Sequence, residues 1–248
     1  MLLGLMGAMP EEMEKIIDAL TEKKVVERGS RLYYRGKLFG QDVVTVFSRW
    51  GKVAAATTAT NLVVEFGVDR IVFTGIAGAI SADLNIGDVV IAQRLFQHDM
   101  DARPLMRRFE IPLTGKTSFE ISEQNSGLMV QAVHNFLKSN NKLKKSLSSG
   151  QQTTTPKLML GDIASGDLFI SGIEMKKALI RNLPSVVCVE MEGAAVAQVC
   201  NDFDVPLVVV RIISDTADEQ ANTNAIGFVN QYAGDYPLAI LKEYICLL

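Results

Sequence analysis

Two glutamates, Glu190 and Glu192, stand inside the nearly apolar run VVCVEMEGAAVAQVC (186–200). A run this rich in Val, Ala and Cys belongs in a core. A buried carboxylate is costly unless something pairs with it. The first half reads as a strand and the second, after Gly193, as a helix, so the glutamates fall where a strand hands over to a helix. In open α/β folds that edge is where ligands bind. The pattern points to a polar small molecule held in a half-buried cleft.

Four other stretches carry groups of the same kind. In VVVRIISDTAD (208–218) a strand holds Arg211 in its apolar body and exits through Ser214 and Asp215. A buried arginine needs an anionic partner. Arg211 and Asp215 therefore belong either to a structural ion-pair network or to a ligand site. In GAMPEEME (7–14), which also holds Met9, the glutamates suit the positive end of a helix that starts at Pro10. That alone accounts for Glu11 and Glu14, and for Glu12 unless it belongs to the cleft. In TGIAGAI (74–80) the glycines beside Ile76 and Ala77, Gly78 among them, allow close approach to the backbone. The segment matches neither the dinucleotide nor the Walker pattern. In GDIASGDLFIS (161–171), Asp162 and Asp167 surround a glycine turn, and Phe169 and Ile170 offer an apolar face and main-chain hydrogen bonds, or a simple core contact. The single tryptophan, Trp50 in SRWGKVAAA, is either core or a pocket wall.

The elements that must position these groups are legible. Strands are expected at 2–6, 71–75, 88–92, 158–165 and 206–213. A hairpin is expected over 32–38 and 42–47, turning at Gly40–Gln41. Helices are expected from Pro10, over 52–66, 125–138 and 172–182, and as a closing element over 222–245. Segment 97–121 shows no period and reads as a long loop, the kind that is usually functional. Segment 139–156 reads as an exposed polar connection. Alternating strands and helices with an early hairpin predict a single α/β domain over 1–248: three layers around a central mixed sheet. The chain has 248 residues, 48% of them hydrophobic, and a net charge of −3. It has no global basic field for nucleic acid. Three cysteines and two well-separated histidines suggest reduced core thiols and no dense metal motif. The N-terminus reads as a first strand, not a signal peptide, and no run reaches the length of a membrane span. A cytoplasmic protein is expected.

Taken in order, GAMPEEME, TGIAG, SGDLFI, VEMEGAAVA and RIISDTAD resemble the 5′-methylthioadenosine/S-adenosylhomocysteine nucleosidases, members of the purine nucleoside phosphorylase/uridine phosphorylase superfamily. The resemblance runs from about residue 2 to about residue 240. It implies a single nucleoside phosphorylase-like α/β domain that hydrolyses the N-glycosidic bond of a 5′-substituted adenosine, without metal or organic cofactor, as a homodimer. It also implies roles. Asp215, oriented by Ser214, would protonate adenine N7. Glu12 would activate water, and Arg211 would help hold the water and the acidic cluster. Glu192 would accept the ribose hydroxyls, with Met191 packed on the sugar. Phe169 and Ile170 would hold adenine. Met9, Ile76, Ala77, Gly78 and Trp50 would line the substrate site. Glu190 is either part of this set or structural.

Some positions depart from the family pattern. Ile76 stands where a serine often supports the water and Glu12. Trp50 stands where an aliphatic residue lines the 5′ pocket. Ala225, with Phe228 one turn on, stands where an aromatic often covers the 5′ group. Segment 98–115 carries Arg103, Arg107 and Arg108 around Phe109, expected to form a solvated or interface loop rather than an anion site. A phosphorylase of the same superfamily would need an arginine-built anion site, for which Arg49 is the one candidate. A non-catalytic nucleoside-binding protein is the other alternative.

Overall fold

The computed structural model describes residues 1–139 and 155–248. The polar connection expected over 139–156 lies mostly outside the described residues. In chain order the elements are β1 (Leu3–Gly7), α1 (Pro10–Asp18), β2 (Thr21–Arg28), β3 (Arg31–Leu38), β4 (Gln41–Phe47), α2 (Lys52–Val64), β5 (Arg70–Ala79), β6 (Val89–Gln97), β7 (Phe119–Glu120), α3 (Glu123–Ser139), β8 (Leu158–Ser165), α4 (Ile173–Asn182), β9 (Val186–Glu190), α5 (Gly193–Asp202), β10 (Leu207–Asp215), α6 (Ala221–Tyr232) and α7 (Asp235–Ile245).

The strands form one mixed sheet in the order β10-β6-β8-β9-β5-β1-β4-β3-β2, and β7 pairs with β6. A further pairing of β10 with β5 closes five of these strands into a ring. β1, β5 and β10 run parallel to their neighbours in that series, while β6 crosses β10 antiparallel. Every residue of β10 is buried, as a continuous apolar strand covered on both faces should be. One sheet face packs on α2 and α5 through Ala55, Ala59, Leu62, Ala194 and Val196. The other packs on α1, α3, α6 and α7 through Met13, Ile16, Val133, Phe136, Tyr236 and Ile240. The domain is therefore a three-layer α/β domain, as the alternation of strands and helices implies.

Four expectations need correction. The hairpin is a three-stranded meander, because β2 adds an edge strand outside β3. β2 reads TEKKVVER and is almost wholly exposed. It therefore lacks the alternation that marks a half-buried strand, and its charges suit a solvent-facing edge. The loop expected over 97–121 is shorter, since β6 runs to Gln97 and β7 lies inside it. The closing helix is two helices, α6 and α7, broken at Ala233–Gly234. Pro237 has no N–H, and its ring clashes with the carbonyl four residues back, so a continuous helix cannot pass through Ala233. Phe228, one turn before the break, packs into the core. It is only 4% exposed and stacks among Tyr232 and Tyr236 at centroid distances of 5.2 and 5.8 Å. Phe228 is a core residue, not a lid on a ligand.

Candidate active site

Three strands end at one place. β1 exits through Gly7–Met9 into α1, β5 through Gly75–Ala79, and β10 through Ser214–Asp215. They open onto a cavity of about 660 Å³, lined in addition by residues of the 168–170 loop, the β9–α5 junction and α6.

Glu12 enters from the first turn of α1 and is fully buried. Its Oε2 accepts the N–H groups of Ala8 (2.7 Å) and Met9 (3.0 Å), and its Oε1 accepts that of Ile76 (3.0 Å). The bond to Met9 caps α1. Glu12 is therefore at once a helix-start glutamate and a cavity wall. The isoleucine at 76 supports Glu12 through its main chain, which a serine hydroxyl is not needed to do. A side chain at Gly75 would bring a Cβ to 2.7 Å from Glu12 Oε1 and 3.3 Å from Arg211 Nη1; glycine leaves room for both. Burial pushes the Glu12 carboxyl above its ordinary range, against the pull of Arg211 and the three N–H groups.

Arg211 corrects one sequence reading. It does not pair with Asp215. Its Nη2 lies 2.7 Å from Glu190 Oε2, with the two side chains 1% and 4% exposed. Its guanidinium carbon stands 4.0 Å from the centre of the Phe73 ring. Burial works against the cation, and Glu190, Glu12 and Glu192 outweigh it, so the pKa stays above its ordinary value. Arg211 is absent from the cavity lining; it holds the acidic cluster from behind. Glu190 is saturated. Besides Arg211 it accepts the Ser165 hydroxyl and the N–H groups of Glu192 and Gly193 at the start of α5. Together these bonds fix the β9–α5 junction.

That junction presents Met191 and Glu192 to the cavity. Glu192 Oε1 accepts the Gly51 N–H at 2.7 Å. Burial, with Glu190 beside it, raises the Glu192 carboxyl to about 8. Asp215 ends β10 at a register shift between Ile213 and Asp215, the kind of irregularity that re-aims a side chain. Its Oδ1 accepts the Ala217 N–H (2.8 Å), and Ser214 Oγ lies 2.8 Å from its Oδ2. A Cβ at Gly78 would sit 2.8 Å from Asp215 Oδ1. Burial raises the Asp215 carboxyl, against Ala217 and Ser214. Its neighbours hold the carboxyl in one orientation at the cavity wall.

The remaining expected residues gather here too. Met9, Trp50, Ile76, Ala77, Gly78, Phe169 and Ile170 all line the cavity. Trp50 is a wall at the lip, 68% exposed, not core. Sequence reasoning missed Leu168 and the α6 face, where Asn222, Ile226, Val229 and Asn230 flank Ala225. The one signal there was the position of Ala225. Asp162 and Asp167 serve structure: Asp162 pairs with Arg94 at 2.5 Å, and Asp167 accepts the Lys52 N–H. The loop arginines are neutralised locally, Arg103 and Arg108 by Asp101 and Arg107 by Glu110. Arg49 binds the Ser30 carbonyl and is not in the lining. Among the described residues, no Lys or Arg lines the cavity, and no group of three or more His, Cys, Asp or Glu could hold a metal ion.

The raised Glu192 carboxyl makes a stability statement. Between its ordinary 4.5 and about 8, the unfolded chain has lost this proton and the folded chain keeps it, so the group's contribution falls as pH rises through that window. We expect the ligand-free Glu192→Gln variant, which keeps an acceptor for Gly51, to melt close to the parent at about pH 5 and several degrees above it at about pH 8.5. Melting curves that differ by the same amount at every pH would contradict the assignment.

The comparisons with known proteins agree with this fold. The family model described as "Phosphorylase superfamily" matches residues 2–245. Aminodeoxyfutalosine nucleosidase of Helicobacter pylori (strain J99) is 34% identical over 232 residues, 93% of this chain and 93% of that protein. 5′-Methylthioadenosine/S-adenosylhomocysteine nucleosidase of Staphylococcus haemolyticus is 33% identical over 232 residues, 94% of each. The crystal structure of 5′-methylthioadenosine/S-adenosylhomocysteine nucleosidase from Neisseria meningitidis, in complex with methylthio-immucillin-A, superposes with a TM-score of 0.88 at 28% identity, covering 100% of this chain and 99% of that one. The chain thus belongs to the phosphorylase superfamily and, within it, to the nucleosidases, enzymes that hydrolyse N-glycosidic bonds.

Proposed function

We propose that this nucleosidase hydrolyses 5′-substituted adenosines of the methylthioadenosine and S-adenosylhomocysteine type, releasing adenine. The observation that carries the proposal is the lining of one cavity: Glu12, Glu192 and Asp215 converge on it and, among the described residues, no Lys or Arg does. Phosphate as nucleophile would need such a cation; water needs a base. In the reaction the C1′–N9 bond breaks, and the proton of Asp215 passes to N7 of the leaving adenine. Water adds at C1′ and gives its proton to Glu12. Burial suits both groups, since a raised pKa keeps Asp215 protonated as the acid and makes Glu12 the stronger base once ionised. Glu192 accepts the ribose hydroxyls, Met191 packs against the sugar, and Phe169 with the Ile170 main chain holds the base.

The 5′ group falls to the wall formed by Met9, Trp50, Ala225, Ile226 and Val229. This wall is mainly apolar and suits a methylthio group or the thioether stem of a longer 5′ chain. An aminodeoxyfutalosine-type substrate is the second reading, supported by the 34% identity to the enzyme of that name. We further propose a homodimer in the cytosol. Leu105 and Leu113 are almost fully exposed on the 98–118 segment, which fits contact with a second copy. The three free thiols fit a reducing compartment.

The test is release of free adenine from methylthioadenosine, S-adenosylhomocysteine, 5′-deoxyadenosine and adenosine, each with and without phosphate. Release from the thioether nucleosides without phosphate is expected. Release that requires phosphate would make the chain a phosphorylase, and purine binding with no release would make it a binding protein. In the same assay Asp215→Asn should lower kcat by about 10²–10⁴-fold while adenine still binds. Near-parental turnover would remove Asp215 as the acid. Trp50→Ala should alter the ranking of 5′-substituted nucleosides by about tenfold and adenosine far less; an unchanged ranking would take Trp50 out of the 5′ wall.

A further inference from the structure

Lys176, in the first turn of α4, sends its ammonium inward rather than to solvent. Its Nζ donates to the carbonyl of Ala79 at 2.8 Å and to that of Thr216 at 2.7 Å. Ala79 ends β5, one residue past Gly78, whose missing Cβ makes space for Asp215. Thr216 directly follows Asp215. A second tie crosses the same gap, from the Ile173 N–H to Glu219 Oε1 at 3.4 Å. α4 is itself the continuation of the Leu168–Ile170 loop that walls the cavity. One ammonium therefore joins the two strand ends that frame the acid to the helix that follows the base-holding loop. Ordering a lysine side chain sacrifices much of its rotamer freedom. Exposed ion pairs seldom offset that loss, and this ammonium bonds two strand-end carbonyls instead.

We propose that Lys176 is a positioning residue for proton donation: it fixes Asp215 relative to the base-holding loop and sets a positive charge behind the carboxylate that forms when Asp215 gives up its proton. The proposal rests on the reading of Asp215 as the acid. The step balances within the site. The proton leaves Asp215 for purine N7, Asp215 becomes a carboxylate, and Lys176 keeps its own protons throughout. Among the charged groups that act on Asp215, Lys176 from α4 favours its ionised form and Asp218 from its own segment opposes it, so Lys176 is a cation placed to offset the new charge. Ser214 and the Ala217 N–H supply dipoles, not charge. Stabilising charge that appears only as the bond breaks acts on kcat rather than on KM.

Lys176→Met, Lys176→Arg and Asp215→Asn should be compared with the parent enzyme, using the nucleoside turned over fastest in the substrate panel. Lys176→Met should lower kcat about tenfold with KM within about threefold. The high-pH limb of its kcat/KM profile should move upward, because Asp215 loses the cation that favours its ionised form. Lys176→Arg should remain within about threefold of the parent. If Lys176→Met does not fold, Lys176→Gln keeps a donor for the carbonyls, removes the charge and carries the same expectation. A lower melting temperature with kcat and the pH limb unmoved would make Lys176 merely structural and overturn the proposal. Full turnover in Asp215→Asn would instead overturn the reading beneath it, and the proposal with it.

Discussion

The guanidinium of Arg211 and the carboxylate of Glu190 meet at 2.7 Å inside the sheet, out of reach of water. Removing one member of such a pair typically costs about 3–5 kcal/mol, because the other is left as an uncompensated buried charge. The pair joins β9 to β10 across β5, and it has room because residue 75 of β5 carries no side chain. Glu190 then uses its remaining capacity on Ser165 and on the first N–H groups of α5. A strand end, a helix start and a buried cation are thereby locked in one arrangement, and Glu192 rides on that junction.

Around this lock the charge count is unbalanced. Glu12, Glu190 and Glu192 share the field of the single cation Arg211, and Asp215 lies farther along β10. Buried carboxyls beyond those a cation can neutralise relieve the cost by keeping protons. Glu190 claims the direct contact, while burial raises the carboxyls of Glu12 and Glu192. Glu12 differs from Asp215 in its surroundings: three N–H groups and Arg211 support its anion, whereas Asp215 has one N–H, a serine and the charge of Lys176. In the proposed reaction Glu12 accepts a proton and Asp215 gives one.

Much of this was legible in the sequence because the informative residues break a local rule. Carboxylates in apolar runs, an arginine inside a strand, and glycines at strand ends mark Glu190, Glu192, Arg211, Asp215 and the 74–80 turn. Where a residue obeys the local rule, the pattern is silent. Glu12 looks like any glutamate in a first helical turn until the N–H of Ile76 is seen on its far oxygen. β2 is an exposed edge and carries no apolar alternation. The partner of Arg211 lies on a strand whose neighbour cannot be read from chain order, so Asp215, four residues on, looked equally good. Lys176 was invisible because its partners are main-chain carbonyls, which leave no trace in residue type.

The account turns on the proposal that a buried carboxylic acid, Asp215, holds its proton in the resting enzyme at neutral pH. Infrared difference spectroscopy of the carboxyl C=O stretch tests it most directly, comparing parent enzyme and Asp215→Asn at pH 7 with and without bound adenine. The account predicts a protonated-carboxyl band in the parent that is missing from the variant. A parent spectrum in which Asp215 contributes only carboxylate bands would contradict it.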